Sequence, residues 1–157
     1  NLIAEHNNKS IDDKEVLEAY WIGNDLIKNI TSEHIKQHIH RTFGKDPIVT
    51  ELIAHIPEGC HPHHTFHLLH IKKVMPDPSI PYSNFEKCKI SVGKVKDIET
   101  EKLILEDTTI DHDLGFVKNI QKGDHVAYRW DFAIDKLSEE QAEQLLFFTD
   151  KHRKILG

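Results

Sequence analysis

Gly123-Asp124-His125-Val126-Ala127-Tyr128-Arg129-Trp130-Asp131-Phe132-Ala133-Ile134-Asp135-Lys136-Leu137, followed at once by Ser138-Glu139-Glu140-Gln141, decides how this chain folds. Gly123-Asp124 is a turn signal, and Val126 to Ile134 carries the β-branched and aromatic residues of a last strand. Ser138 and Gln141 have the spacing of a capping box, in which the hydroxyl accepts from a free helical N–H and the amide side chain reaches back. A helix therefore starts at Glu139. Its expected core stripe is Ala142, Leu145, Leu146, Thr149 and Leu156, widened by Phe147 and Phe148. Lys151, His152, Arg153 and Lys154 in its last turns suit the negative helix end and read as solvated. Upstream, Cys88-Lys89-Ile90-Ser91-Val92-Gly93-Lys94-Val95 alternates apolar and polar residues across a glycine. Leu103-Ile104-Leu105-Glu106 and Gly115-Phe116-Val117 continue the short-strand pattern.

These same residues carry a resemblance. A cysteine five places before Gly93-Lys94-Val95, then Gly123-Asp124-His125-Val126, then Phe132-Ala133-Ile134-Asp135-Lys136-Leu137 and an acidic helix start, resemble the HypC/HupF-type nickel–iron hydrogenase maturation chaperones. The similarity spans about seventy residues, with its most specific piece from Gly123 to Leu137. It implies a small OB-like β-barrel with a C-terminal helix, iron held at Cys88, and two partners: the hydrogenase large-subunit precursor and the iron-ligand scaffold protein. This chain departs from the family pattern in three places. Cys88 is internal, so no amine–thiolate chelate can form, Val92 stands where proline is usual, and Arg129 replaces a histidine of the last strand. The front of the chain, through Glu18-Ala19-Tyr20-Trp21-Ile22-Gly23-Asn24 and Pro62-His63-His64-Thr65-Phe66-His67, is similar to an uncharacterised prokaryotic family encoded near hydrogenases.

The front half reads as mainly helical. Ser10 is placed to cap a helix from Ile11 to about Ile22, with Asp12, Asp13 and Glu15 in its first turn. Val16, Leu17, Tyr20 and Trp21 share one face, which is the spacing of core packing. A second helix starts at Thr31 or Ser32 and stops at Gly44, and a third starts with Asp46 and Pro47 and ends before Pro57. Residues Thr65 to Ile71 read as a strand, with His64 and His70 on the face of Phe66 and Leu68, and His67 opposite; as a helix the segment would instead align His63, His67 and His70. Prolines at 76, 78 and 81 mark a connection. The expected organisation is α+β: a helical region 1–75 ending in the histidine-rich strand, a proline-rich connection 76–87, and a barrel with its helix at 88–157. Asn1 in place of methionine, with Leu2 to His6 reading as a helix under way, gives the expectation that residues precede this stretch.

With 157 residues, 38% hydrophobic and 29% charged, the chain has enough apolar residues for a sizeable core. A net charge of −6 lacks the basic footprint of sequence-independent nucleic-acid binding. Two cysteines and no long apolar run point to a reducing cytoplasm and no membrane span.

Two groups of residues could carry metal chemistry. Cys88 offers a soft thiolate for iron. Cys60 with His64, His67 and His70 offers a soft and an imidazole set suited to zinc or nickel, although Cys60-His61-Pro62-His63-His64 matches no standard zinc spacing. His34 and His38 lack the intervening glutamate of a zinc protease and read as a solvent-facing pair. No nucleophile elbow or phosphate loop supports acyl or nucleotide chemistry. Arg129 and Trp130 are residue types that anchor interfaces, or one of the aromatics fills the barrel. Three functional expectations follow: a non-enzymatic maturation accessory protein, a metal-dependent enzyme built on Cys60 and His61 to His70, and a docking module that has lost its metal.

Overall fold

The Gln141 N–H donates to the Ser138 hydroxyl at 3.1 Å, and the Ser138 N–H donates to the Gln141 side chain at 2.9 Å. With those groups satisfied, α8 runs from Glu139 to Leu156 in a computed structural model that describes residues 1–76, 79, 82–113 and 117–157. Removing the cap by Ser138→Ala should cost about 1 kcal/mol, read as a lower urea midpoint at unchanged slope. The buried stripe of α8 is Ala142, Leu145, Phe148, Thr149, His152 and Leu156. Leu146 and Phe147 are instead 52% and 57% exposed, because their neighbours in the run already occupy the inward angles.

Among the described residues the front half holds α1 (Leu2–Asn7), α2 (Lys14–Trp21), α3 (Asp25–Lys28), α4 (Ser32–Phe43), α5 (Pro47–Ala54) and α6 (His64–Val74). Thr31 caps α4 with His34 completing the box, Gly44 ends it, and Asp46 with Pro47 opens α5, as the sequence predicts. α2 starts later than expected, at Lys14 after Asp13, since Ser10 is occupied in a turn whose backbone N–H donates to the Asp13 carboxylate. The histidine-rich segment is a helix, not a strand. His63 sits at its N-cap and accepts from the Thr65 N–H at 3.2 Å, so its first turn is closed by an imidazole. α6 then buries His64, Thr65, Phe66 and His70.

After α7 (Tyr82–Cys88) come β1 (Ser91–Glu99), β2 (Lys102–Leu105), β3 (Thr109–Asp111), β4 (His125–Arg129) and β5 (Phe132–Leu137). They close into a barrel in the order β1-β2-β3-β5-β4, antiparallel except for the β3–β5 contact. This is an α+β fold with a small OB-like barrel and a C-terminal helix, as the sequence predicts. β1 serves two partners: Ser91 to Lys94 pairs with β4, and Val95 to Glu99 pairs with β2, with a register shift between Val95 and Asp97. Gly93 precedes that shift, at a position where a Cβ would lie 2.7 Å from a Leu105 methyl carbon.

Three expectations are corrected here. Cys88 ends α7 and does not open a strand, β1 beginning only at Ser91. The Val126 to Ile134 run is two strands joined by a two-residue turn at Trp130 and Asp131, both with positive φ, 53° and 69°. Of the expected strand at Gly115-Phe116-Val117, the first two residues lie outside the described residues, and Val117 is a buried bend in the barrel core.

α8 belongs to both halves. Phe148 and Leu156 complete the core of Ile3, Val16, Ala19, Ile27, Ile30, Ile35, Ile56, Cys60 and Phe66. Leu145 packs in a seam with Ile22, Ile90, Ala127 and Leu137, between helices and barrel. Among the described residues, no helix is long and apolar enough to cross a membrane.

Candidate functional site

The histidine-rich segment divides into two environments on opposite sides of α6's first turn. The inner one is a column of rings: His63 stacks on Phe148 at 5.5 Å and on His152 at 5.6 Å, and Phe66 stacks on His70 at 5.3 Å. Each ring's tautomer follows from its partners, because a carbonyl can only accept and a backbone N–H can only donate. His61 donates Nδ1–H to the Ile30 carbonyl and accepts at Nε2 from the Lys151 ammonium at 2.7 Å. The His61 N–H donates to His152 Nε2, leaving the proton of His152 on a buried, unpaired Nδ1. His63 accepts at Nδ1, so its proton is on an unpaired Nε2. Burial drives His63 down to about 4 and His152 to about 3, each helped by the neighbouring imidazoles. Both are neutral at pH 7. Cys60 lies in the same core, fully buried, with its thiol pushed up to about 11 by burial. It is a protonated, inert thiol.

The outer environment lies where α2, α6, α7 and β4 meet. His64 donates Nε2–H to the Cys88 carbonyl at 3.1 Å, and its Nδ1 faces the Tyr20 hydroxyl at 3.4 Å. That hydroxyl also meets His67 Nδ1 at 3.0 Å, so one phenol bridges two imidazoles. Trp21 lies 4.4 Å from the His64 ring. Burial holds His64 below the usual imidazole range, and the Arg129 charge pushes it further the same way. Burial raises Tyr20, with Arg129 opposing. The β4–β5 turn is fixed beside this group. The Trp130 N–H donates to the Lys87 carbonyl at 3.1 Å, the Asp131 carbonyl accepts from the Asp111 N–H at 2.7 Å, and Asp131 pairs with Lys87 at 2.7 Å.

A profile of the family of unknown function DUF6390 matches residues 1–115. The chain belongs to DUF6390. No curated protein and no solved structure matches it significantly. The DUF6390 match takes in the six front helices, α7 and the first three strands, and so includes Tyr20, Cys60, His64, His67, His70 and Cys88. Arg129, Trp130 and α8 follow it.

The residues singled out from the sequence are therefore placed as follows. Half-exposed Cys88 joins His64, Tyr20 and His67 through its carbonyl, with Arg129 and Trp130 at the end of the adjoining strand. Cys60 is in the helical core, and His70 donates to the Leu52 carbonyl at 2.9 Å, away from both. Among the described residues, no three His, Cys, Asp or Glu side chains converge as a metal group would require. The helix explains this: α6 turns His64 and His70 inward at different levels and leaves His67 on the surface. Sequence reading missed Tyr20 as a hydrogen-bonding residue and His152 as a core residue. The second was legible, since 145, 148, 149, 152 and 156 keep helical spacing.

Proposed function

We propose that this chain is a non-catalytic accessory protein of nickel–iron hydrogenase maturation, working in the cytoplasm, which docks on a partner through the β4–β5 turn and uses Cys88 beside it in handling iron. The observation that carries the reading is Trp130. It occupies a tight turn at a positive φ of 53°, a position that favours Asn, Asp or Gly, and it is 41% exposed. A bulky residue held in that conformation costs about 1–2 kcal/mol and leaves a large part of its ring in solvent, the pattern of a residue kept for contact with another molecule. Phe132 beside it is 54% exposed, and the Trp130 N–H bond to the Lys87 carbonyl and the Lys87–Asp131 pair tie the tip to α7. The resemblance from Gly123 to Leu137 supplies the partner class: the large-subunit precursor and the iron-ligand scaffold protein.

Trp130→Gly separates contact from folding. Glycine relieves the turn, so stability should stay level or rise by about 1 kcal/mol, while affinity for the precursor or the scaffold drops about tenfold or more. Cys88→Ala should lower iron in anaerobically purified protein and leave docking intact. Undiminished affinity in the glycine variant would remove the docking assignment, and undiminished iron in the alanine variant would remove the iron assignment.

A further inference from the structure

A cleft of about 380 Å³ runs between α2 and the β4–β5 side of the barrel, walled by Leu17, Trp21, Ile22, Ile90 and Ile134 and lined on one side by Arg129. That volume is in the range of small-molecule sites. Arg129 is a permanent cation held in no ion pair among the described residues. Its Nε is sealed from solvent and meets no acceptor. The polar rings within its field, Tyr20 and His64, are both held neutral by burial. Lys14, Glu18 and Asp135 line the same cleft, and neither carboxylate pairs with Arg129 or with any other described cation.

We infer that this cleft binds a small carboxylic acid carried on an apolar stem, its carboxylate taken by the Arg129 guanidinium and its stem laid along Trp21 and Ile134. The planar fork of arginine matches a carboxylate with two parallel hydrogen bonds, which the terminal Nη groups of Arg129 would make, its Nε being sealed from solvent. A monoanion is favoured over a phosphate because Glu18 and Asp135 offset Lys14 and Arg129 in the cleft, so each negative charge beyond the one taken by the guanidinium adds repulsion without a free cation to meet it. The inference needs neither iron nor docking at Trp130.

The test uses the full chain carrying Trp130→Phe, which leaves Trp21 as the sole tryptophan of two. Octanoate should shift Trp21 emission saturably, and octanamide, of the same length but uncharged, should bind about tenfold more weakly or worse. Arg129→Gln should weaken octanoate by a similar factor, and Arg129→Lys by less, since it keeps charge but loses the fork. Octanoate should also raise the melting temperature of the parent and not of the glutamine variant. Equal binding of octanoate and octanamide, or of parent and glutamine variant, overturns the inference, as does no saturation below about 10 mM. A leucine-terminated peptide binding more tightly than octanoate overturns the small-acid assignment in favour of a protein terminus. If the glutamine variant does not fold, the acid–amide comparison on the parent decides. Docking to a protein partner is read separately, so either reading can fail alone.

Discussion

Gly23→Ala should destabilise the chain by about 2–5 kcal/mol, summing a left-handed backbone position at about 1–2 kcal/mol and overpacking at about 1–3 kcal/mol. Gly23 has φ of 98°, and a Cβ built on it would lie 2.2 Å from a Phe148 ring carbon. The ring cannot retreat. It is fully buried, stacked on His63, and met edge-on by His61 at 5.5 Å. Either α8 moves off the helical core or the turn after α2 rebuilds, and both disturb the seam of Ile22 and Leu145. For a chain of this size the expected drop in melting temperature is roughly 4–20 °C. A loss under about 1 kcal/mol in urea unfolding would mean that Phe148 is not the fixed packing partner described above.

Lowering the pH from 7 to 4 should remove on the order of 3 kcal/mol for each of His63 and His152, before any carboxylate contributes. Both imidazoles have folded values below the ordinary 6.5, at about 4 and about 3, with burial as the first cause. Between those values and 6.5 the unfolded chain binds protons that the folded chain refuses. Stability therefore rises with pH across this window and is complete above 6.5. Depressed carboxyls behave differently in position: Glu86, held low by Lys89 and Arg153, and Asp124, held low by Lys136, lose their contribution only below the ordinary carboxylate values of 4.5 and 3.8. Urea midpoints at pH 7, 6, 5 and 4 separate the two. His152→Gln retains an acceptor for the His61 N–H and cannot titrate, so its pH slope between 6.5 and 5 should be shallower. A flat profile from pH 7 to 5 in the parent would sink the account.

What was legible in the sequence was mostly at the ends of elements. Ser138 with Gln141, Thr31, Gly44, and Asp46 with Pro47 act locally, and the backbone groups they satisfy are within four residues. The closed barrel was expected only through the resemblance, since the residue pattern of β1 and β2 signals short strands and not their closure. The α6 helix was not, since a seven-residue run of apolar and histidine residues fits either period and the deciding contact, Phe66 and Thr65 against α8, is distant in the chain. The Trp130-Asp131 turn was hidden for the opposite reason: it lacks the glycine or asparagine that marks such turns. The candidate site was half legible. Cys88, Arg129, Trp130 and His64 were singled out, but their convergence with Tyr20 depends on how α2 and α6 cross, which no local pattern encodes.

The sharing of α8 between two cores has a consequence for synthesis. The ribosome delivers the six front helices first, yet the ring column around His63 and Phe66 lacks Phe148 and His152 until after the whole barrel has been translated. During that interval the nascent front half exposes an apolar surface with unpaired imidazoles. Its completion waits on α8, which is made after the barrel and locks helices made before it.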